Sequence, residues 1–339
     1  MRKICLMLLS LALAVVSCTH KDFCLHHPHV VKLKVEFNWQ NTPEANPKGM
    51  SVWFYPIDGG DPVRYDFRGT EGGYVELVVG EYNIITYNND TEAVLFANQH
   101  NFATHQAYTR EGNLLEPVLG SSAAVPRANG TEEEKVVITP DMLWGCTSLE
   151  VEVAENGVKY ICRPFEEDAT MSEVESEEHI ITLYPCDLMC LYSYEIRHVE
   201  NLAMATQMCA SLSGMSGGMT IATEKLHTRS VTLPLEARID LDSAKVTGMF
   251  YTFGHSLEND DPHKMLLYVW MQGGEKYYFG EGSERFSVTA QIHNAPNRRR
   301  VHIIIDSLEL PRAIGGDDDW KVTVDDWDEV YEDIPMGSY

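Results

Sequence analysis

The sequence predicts an all-β protein made of two antiparallel β-sandwich domains that follow a signal peptide and a lipidated tether. Three observations lead to this prediction. Alternation of apolar and polar residues dominates the chain, and helical patterns are few. Turn residues separate the candidate strands at short intervals, which is typical of β-sandwiches. The first residues carry the charge and hydropathy pattern of an export signal.

Residues 1–17 have the pattern of a lipoprotein signal peptide. Arg2 and Lys3 form a short positive region, and an apolar run over residues 6–16 follows. This run is shorter than the roughly 20 residues that a membrane-spanning helix needs. It ends in Val-Val-Ser-Cys18, which resembles a bacterial lipobox, so we expect cleavage before Cys18 and acylation of that cysteine. Several acyl chains give lasting anchorage. An ordinary signal peptide with an incidental cysteine is the alternative.

Residues 18–29 are predicted to form a tether between the lipid and the first strand. The tether carries four histidines, namely His20, His26, His27 and His29. Imidazoles at this spacing can bind a borderline metal ion, but a tether offers no fixed geometry. We therefore expect no metal site here and no cofactor elsewhere.

The strands of the first half are predicted from the alternation of apolar and polar residues, which repeats every two positions. In residues 31–39 apolar Val, Leu, Val, Phe and Trp alternate with Lys, Lys, Glu and Asn, which predicts a half-buried strand. Asp58-Gly59-Gly60 is a hairpin turn between two such runs. The further strands predicted in this half cover residues 50–56, 63–67, 74–79, 82–87, 136–139, 148–153 and 157–162.

The second half continues in the same way. Predicted strands cover residues 179–184, 191–196, 219–222, 230–235, 247–253, 265–270, 276–279, 286–292 and 301–305. Residues 199–212 are the best helical candidate, because Leu202, Ala205, Met208 and Leu212 fall near one helical face.

A dense acidic stretch, residues 166–178, separates the two halves. Like charges at this density favour an extended, solvated segment. The sequence therefore predicts an N-terminal domain over residues 30–175 and a C-terminal domain over residues 176–335. An internal loop of a single domain is the competing interpretation.

Charge and cysteine content limit the partners. The chain has 51 acidic and 26 basic residues, a formal net charge of −25, which repels nucleic acid and anionic lipid headgroups. Of its eight cysteines, Cys5 lies in the signal and Cys18 carries the lipid. The other six are sparse for a chain of this length, so we expect buried thiols rather than a disulfide framework; they are Cys24, Cys146, Cys162, Cys186, Cys190 and Cys209.

Only one motif suggests catalysis. Gly214-Met-Ser216-Gly-Gly218 matches the nucleophile elbow of hydrolases, which needs a strand before the serine and a helix after it. Here a helix is predicted before Ser216 and a strand after it, which favours a glycine-rich turn. The aspartates of residues 317–328 lack the ligand spacing of a calcium loop. No phosphate or dinucleotide motif is present, and we expect no enzymatic activity.

The lipobox, the run Met50-Ser-Val-Trp-Phe-Tyr-Pro-Ile-Asp-Gly-Gly60 and the run Val79-Gly-Glu-Tyr-Asn-Ile-Ile-Thr-Tyr-Asn88 resemble the N-terminal domain of Bacteroidales fimbrillin-type pilus proteins. The likeness is strongest to their anchor and accessory lipoproteins. Residues 210–218 and the closing Val322-Thr-Val-Asp-Asp-Trp327 are similar to later segments of that group.

This resemblance implies two transthyretin-like sandwiches, anchorage in the outer membrane, exposure on a fimbrium, and assembly with pilin (fimbrillin) subunits in cell adhesion. In such pilins an arginine-directed protease removes the first strand. Residues 31–39 contain no arginine, and the next one is Arg64. This departure favours an anchor or accessory subunit over a polymerising shaft subunit.

Two further expectations concern the surface. Edge strands of a sandwich are templates for strand addition by a partner, and we expect such an edge or groove in the C-terminal domain. The alternative function is a glycan-binding surface lipoprotein without catalysis, with Tyr251, Trp270, Tyr277 and Tyr278 as candidate aromatics. Ser243 and Ser307 stand in Asp-Ser-apolar tripeptides that look like bacteroidal O-glycosylation acceptors.

Overall fold

β-Strands make up most of the computed structural model, which describes residues 29–118, 125–162, 172–176, 178–280 and 284–312. These ranges contain twenty-three strands and one short α-helix. The signal peptide, Cys18, most of the tether and the closing 322–327 run lie outside the described residues. None of the described helices has the length and apolar character needed to cross a membrane.

The first half of the chain forms two sheets. Sheet A has the strand order β12-β1-β4, and sheet B has the order β11-β10-β9-β5-β2-β3 with β13 added beside β9. The strands of this half are β1 (Val30–Phe37), β2 (Gly49–Pro56), β3 (Val63–Arg68), β4 (Gly73–Val78), β5 (Gly80–Asn88), β6 (Val94–Ala97), β7 (Gln106–Thr109), β8 (Lys135–Val136), β9 (Trp144–Ala154), β10 (Gly157–Cys162), β11 (Ser172–Ser176), β12 (Ile180–Leu183) and β13 (Cys186–Asp187).

The second half forms two more sheets. Sheet D has the order β19-β20-β14-β23, and sheet E has the order β22-β21-β15-β18-β8. The elements of this half are β14 (Cys190–Glu200), β15 (Ala205–Ser216), β16 (Gly218–Thr220), β17 (Lys225–Leu226), β18 (Ser230–Glu236), β19 (Arg238–Asp240), β20 (Lys245–Thr252), β21 (Met265–Met271), β22 (Lys276–Phe279), α1 (Thr289–His293) and β23 (Arg300–Glu309).

Both halves follow one strand plan. The first strand of each half, β1 or β14, lies between an antiparallel neighbour, β4 or β20, and a parallel strand from the end region of the same half, β12 or β23. The facing sheets share the orders β5-β2-β3 and β21-β15-β18. The predicted all-β fold of two antiparallel sandwiches is therefore confirmed, with one parallel pair closing each sandwich.

Strand β1 shows how alternation places the core of the first sandwich. Leu33, Val35 and Phe37 are buried against sheet B, and the residues between them are half-buried on the other face. The alternation predicted for residues 31–39 is confirmed.

Sheet B is buried on both faces, unlike sheet A. Val52, Phe54 and Ile84 face sheet A, while Trp53 and Tyr87 belong to a second buried cluster on the opposite face. That face is covered by a small sheet, sheet C, of order β17-β16-β7-β6. Because β6 and β7 come from the first half and β16 and β17 from the second, backbone hydrogen bonds join the two halves.

Sheet E is also covered on both faces. One face packs on sheet D, and residues Cys209, Leu266 and Tyr268 of the other face pack against Leu114 and Leu115. These leucines belong to residues 110–118 of the first half, which together with residues 125–137 lie over the second sandwich; we call these two described segments the 110–137 crossing. The crossing ends in β8, which pairs in parallel with β18.

Two predicted elements are wrong. Residues 199–212, predicted as a helix, form the end of β14, a 3-10 turn at Leu202–Met204 and most of β15. Residues 208–216 are buried on both faces, so they show no alternation, and an apolar run of this kind does not distinguish strand from helix. Residues 286–292 were predicted as a strand. In the structure Phe286 is the last residue of a 3-10 turn, and residues 289–292 form most of α1.

The acidic stretch does not end the pairing of the first half. Strand β12 bonds to β1, and β13 bonds to β9, both beyond the acidic residues. The division at residues 175 and 176 stays a prediction. We propose that the change-over between the sandwiches lies at residues 188–189, because the next strand, β14, pairs within sheet D.

Cys186, Cys190 and Cys209 are thiols in the structure. Cys186 lies in β13, and Cys190 begins β14. Burial raises the pKa of Cys186 and of Cys209 to about 12, so both stay protonated at neutral pH. The Sγ atom of Cys186 donates to the carbonyl oxygen of Gly145 over 3.4 Å.

His105 is the polar centre of the aromatic cluster between sheets B and C. Its Nδ1 lies 2.6 Å from the Tyr55 hydroxyl, and its Nε2 lies 3.2 Å from the Tyr87 hydroxyl. The Tyr55 hydroxyl donates its proton to the carbonyl oxygen of Gln99 over 3.0 Å, so its oxygen accepts from His105 Nδ1, and the Tyr87 hydroxyl donates to His105 Nε2. The network therefore assigns a neutral ring that donates from Nδ1. Burial, with a smaller effect of Arg64, lowers the pKa of His105 to about 4.

We expect the stability of the protein to fall between pH 7.5 and pH 5 in part through His105. The unfolded chain protonates this ring near its ordinary pKa of about 6.5, whereas the folded chain does so only near the lowered value. The depressed pKa therefore contributes stability above pH 6.5 and loses about 2 kcal/mol of it by pH 5. Urea unfolding at both pH values measures this loss. His105→Gln should lose that part of the pH difference, and His100→Gln, an exposed neighbour, should keep it; equal pH differences in the two variants would contradict the assignment.

Gly72 fixes the turn that places β4 on β1. Its φ is +83°, and a Cβ atom there would lie 2.1 Å from the carbonyl oxygen of Val35. We expect Gly72→Ala to lower the free energy of unfolding by about 3 kcal/mol or more, since a backbone clash adds to the strained φ. Gly59 also has a positive φ, but nothing lies within 4 Å of its Cβ position. Gly59→Ala should therefore cost only about 1 kcal/mol, and equal losses in the two variants would refute the steric explanation.

Candidate functional site

A groove of about 440 Å³ lies where the two sandwiches meet, and we call it the junction groove. The loop after β1, the start of β9, the change-over segment and the loop before β23 all contribute to it. Its lining residues are Asn41, Thr42, Glu44, Ala45, Met142, Trp144, Asp187, Met189, Leu191, Tyr251, Asn297, Arg299 and Arg300.

Polar side chains hold the walls of the junction groove together. The Thr42 hydroxyl donates to Oδ1 of Asp187 over 2.9 Å, and the Arg299 guanidinium donates to the backbone carbonyl of Asp187. The buried Nδ2 atom of Asn41 has no hydrogen-bond partner among the described residues. A buried donor without an acceptor costs free energy.

The groove continues onto the outer face of sheet D. Met249 is 69% exposed and Tyr251 is 36% exposed, and both point away from the core of the second sandwich. Leu191 of β14 is the register partner of Tyr251 on β20 and of Arg300 on β23. This face therefore joins apolar side chains to the groove, and exposed apolar surface of this kind marks interaction sites.

Glu195 organises the charged part of the same face. Its carboxylate accepts from Arg197, from Lys245 Nζ over 3.2 Å and from His302 Nε2 at 3.5 Å. The hydrogen bond from Arg197 is the main cause that lowers the pKa of Glu195 to about 2. The carboxylate thus stays ionised at neutral pH and holds the Arg197 guanidinium and the Lys245 ammonium beside the apolar residues.

In each sandwich a side chain covers the middle of one edge strand, β4 or β23. On β4 the Tyr65 hydroxyl donates to the carbonyl of Glu76 over 2.7 Å and accepts from its N–H over 3.2 Å. On β23 the amide of Gln291 makes the same two bonds to Ile304, both at 2.8 Å. Capping an edge in this way prevents pairing with a further strand at that residue.

Edge strand β3 shows a different arrangement. In the pairing of β3 with β2, the N–H of Gly69 donates to the carbonyl oxygen of Lys48. Because alternate residues of an antiparallel strand bond to the same neighbour, the backbone groups of Arg64, Asp66 and Arg68 point away from β2, towards the free edge. The charged side chains of these residues are exposed, as is common on strand edges.

The two predicted glycosylation serines both lie at the surface. Ser243 is exposed in the turn between β19 and β20, where its hydroxyl donates to Asp240. Ser307 is exposed in β23 at a backbone φ of +65°, and its carbonyl accepts from Arg285 over 2.8 Å.

Ser216 of the elbow motif is buried at the end of β15. Its Oγ lies 2.8 Å from the carbonyl of Gly218 and 2.9 Å from that of His227, which are both acceptors. The motif stands between strands β15 and β16, because the helix predicted before it is a strand. This geometry aims the hydroxyl at backbone oxygens and not at a reaction site.

The predicted glycan-binding aromatics do not share one face. Tyr251 lies on sheet D, whereas Trp270 and Tyr278 pack on the face of sheet E that the 110–137 crossing covers. Tyr277 packs against the core of the second sandwich. Of the predicted residues only Tyr251 reaches the junction groove.

Sequence reasoning missed the polar residues of the groove. Asn41, Asp187 and Arg299 lie in loops far apart along the chain, and only the fold brings them together. The one signal available was the run Arg298-Arg299-Arg300, which stands out in a chain with 26 basic and 51 acidic residues.

Comparison with known proteins gives a family and a fold. A Bacteroides ovatus protein named "Putative fimbrium anchoring subunit Fim4B" is 28% identical over 152 residues, which are 44% of this chain and 41% of that protein. The chain thus matches less than half the length of that relative.

A solved structure shows the same architecture. The crystal structure of a Bacteroides ovatus protein named "putative adhesin" superposes with a TM-score of 0.57 at 19% identity, over 87% of this chain and 98% of that one. The fimbrial anchor protein Mfa2 of Porphyromonas gingivalis gives a TM-score of 0.43 at 13% identity, over 82% and 91% of the two chains. The first of these likenesses shows the fold.

The family model described as a domain of unknown function (DUF5119) matches residues 17–236, from the end of the predicted signal peptide to the end of β18. Because this match covers more than half of the chain, the chain belongs to the DUF5119 family.

Proposed function

We propose that this protein is an anchoring or accessory subunit of a fimbria, held in the outer membrane by a lipid on Cys18, that binds pilin subunits and has a structural rather than an enzymatic role. The observation that carries the proposal is the similarity over 152 residues to a protein named as a fimbrium anchoring subunit. The lipobox before Cys18 and the fimbrillin-like runs of the sequence support it independently.

The junction groove and the adjoining face of sheet D are the proposed binding surface. Exposed Met249 and Tyr251 supply apolar area, and Arg300 at the rim supplies a planar donor group. Aromatic residues, Met and Arg are enriched in protein interfaces.

Strand addition is the proposed mode of binding. Gln291 occupies the free edge of β23 at Ile304, but the neighbouring backbone groups of His302 and Asp306 also face that edge, because residues of a parallel strand alternate in direction. A partner strand would displace the Gln291 side chain and replace its two bonds. Main-chain pairing of this kind gives affinity with little dependence on side chains.

A saccharide is the second candidate occupant of the junction groove. Trp144 and Tyr251 lie in its lining beside the amide of Asn41 and the carboxylate of Asp187. Aromatic faces and paired polar groups are the chemistry that binds sugars. A glycan array probed with the purified protein separates this function from pilin binding, and the absence of any hit would remove it.

The exposed positions of Ser243 and Ser307 support O-glycosylation of both, which we propose as a modification of the mature protein. Ser243 stands in a turn, and Ser307 in an irregular part of β23. Intact-mass measurement of protein from its own envelope, compared with Ser243→Ala and Ser307→Ala variants, tests each acceptor separately.

We expect the double change Met249→Asp and Tyr251→Ala to lower the amount of pilin that co-purifies from the native envelope by about tenfold or more, because truncation of central interface residues costs about 2 kcal/mol or more. Quantitative mass spectrometry of the co-purified subunits measures the loss. Leu241→Asp is the matched control, since Leu241 is 59% exposed in the β19–β20 turn, away from the groove. Equal pilin yields from the double variant and from wild type would refute the proposed surface.

Anchorage is tested separately from pilin binding. Cys18→Ser should abolish incorporation of radiolabelled palmitate and release the protein from the membrane fraction, because the acyl chains supply the anchoring free energy. Cys24→Ser, a change of the same kind six positions further along, should leave both unchanged. Palmitate labelling that persists in Cys18→Ser would show that the lipid lies elsewhere.

A further inference from the structure

Three histidines far apart in the sequence meet in the second sandwich. His255 follows β20, His263 precedes β21, and His293 ends α1. One ring nitrogen of each lies within 4.8 Å of the others, and Nε2 of His263 lies 3.1 Å from Nε2 of His293. We refer to His255, His263 and His293 as the histidine cluster.

The cluster is withdrawn from solvent on one side and accessible on the other. His263 is 1% exposed and His255 is 8% exposed, whereas His293 is half-buried. The rings of His255 and His293 stack at 4.9 Å between centroids, and the His263 ring stands nearly perpendicular to both.

Backbone contacts fix the tautomer of His263. Its Nδ1 lies 3.2 Å from the carbonyl oxygen of Ser213, which can only accept, so Nδ1 carries the proton and Nε2 presents a lone pair to the cluster. Metal-binding histidines commonly donate their second nitrogen to a carbonyl in this way, which orients the ring.

The backbone of His263 is held as firmly as the ring. Its N–H donates to the Thr289 hydroxyl over 2.8 Å, and its carbonyl accepts from the Val288 N–H over 2.9 Å. These two bonds tie the entry to β21 directly to the start of α1. The ring that faces the cluster therefore has little freedom to turn away.

Gly214 of the elbow motif makes room for this ring. Its φ is +79°, and a Cβ atom there would lie 2.6 Å from Nδ1 of His263 and 2.9 Å from the Pro262 carbonyl. Only glycine permits so close an approach in this conformation. The motif that resembled a hydrolase elbow therefore seats an imidazole, a role that the sequence pattern did not suggest.

We propose that the histidine cluster is a binding site for a divalent transition-metal ion, with Zn²⁺ as the ion it fits best. Uncharged imidazole nitrogens suit Zn²⁺ and its transition-metal neighbours and not Ca²⁺ or Mg²⁺, which take oxygen ligands. Zn²⁺ binds imidazole nitrogen at about 2.0–2.1 Å, so two ligands of a tetrahedral site lie about 3.3 Å apart. The 3.1 Å between His263 and His293 already matches that spacing.

Electrostatics agree with this assignment. Burial lowers the pKa of His255 and of His263 to about 4, so both rings are neutral ligands at pH 7. The charge of Arg298 lowers the pKa of His255, and the charge of Asp261 raises the pKa of His263; both effects are smaller than that of burial. The whole chain carries a formal charge of −25, which draws cations towards its surface.

Metal binding requires a change of tautomer and a small rearrangement of the rings. Because Nδ1 of His263 carries the proton, the 3.1 Å contact is a hydrogen bond donated by Nε2 of His293, and this nitrogen must give up its proton to bind a metal ion. A metal ion lies in the plane of each imidazole that binds it, whereas the rings of His255 and His293 are almost parallel, at 12°. One of them must tilt, and the half-buried His293 has the space to do so. The fourth position of a tetrahedral site then faces the accessible side and takes water. The bound ion would join the loop after β20, the entry to β21 and α1, which precedes the last strand.

The test uses the full chain, purified in detergent and freed of metal with a chelator. Co²⁺ should bind with a visible absorption band typical of tetrahedral coordination, Zn²⁺ should displace it at one equivalent, and Zn²⁺ should raise the thermal midpoint. His293→Gln should weaken Zn²⁺ binding by about tenfold or more, since loss even of a supporting residue costs about 10- to 100-fold. His263→Asn should do the same, because its amide can still donate to the Ser213 carbonyl while Nε2 is lost.

Two controls separate this site from other histidines. His302→Gln removes an exposed histidine from sheet D, and the combined change of His20, His26, His27 and His29 to Asn removes the tether histidines. Both control variants should still bind one equivalent of Zn²⁺ with the affinity of the wild-type protein. Wild-type affinity in a folded His293→Gln variant, absence of tetrahedral Co²⁺ absorption, or loss of binding in the tether variant would each overturn the proposal. Circular dichroism without metal confirms that each variant is folded.

Discussion

Two sheets that are apolar on both faces determine how this protein is built. A sheet with one apolar face needs a single covering layer, but sheets B and E each need two. Sheet B finds its second cover in the four short strands of sheet C, and sheet E finds its second cover in the 110–137 crossing. Each cover draws on the other half of the chain or crosses to it. The two sandwiches are therefore interlocked, and the junction groove is the seam that this interlocking leaves open.

The sequence was sufficient to predict those parts of the fold in which each strand has one buried and one solvent-exposed face. β1 alternates visibly because Leu33 and Val35 turn inward while Lys32 and Lys34 do not, and most other strands were located within a few residues. β15 is buried on both faces from Met208 to Ser216, and this run was mistaken for a helix. The alternation of apolar and polar residues disappears when both faces of a strand are buried, so the local sequence pattern could not have revealed this strand.

The sites were harder to predict for a different reason. Asn41, Asp187 and Arg299 of the groove are more than 100 positions apart in the chain, and no local pattern links them. The histidine cluster likewise depends on which loops meet at one end of sheets D and E. By contrast, the lipobox at Cys18 needs no fold to be recognised, because a processing signal is read from the linear chain. Gly214 shows the limit of motifs, since its pattern was visible but its physical role was not.

The parallel closing pairs have a mechanical consequence. The chain enters each sandwich through its first strand, and a strand at or near the end of that sandwich, β12 or β23, runs beside the first strand in the same direction. A pull between the two ends of a sandwich therefore acts along the strands, so the pair resists by shear and its hydrogen bonds carry the force together instead of opening one after another. The β14–β23 pair engages nine register positions and the β1–β12 pair four. Under tension the sandwich nearer the carboxyl end should be the last to yield.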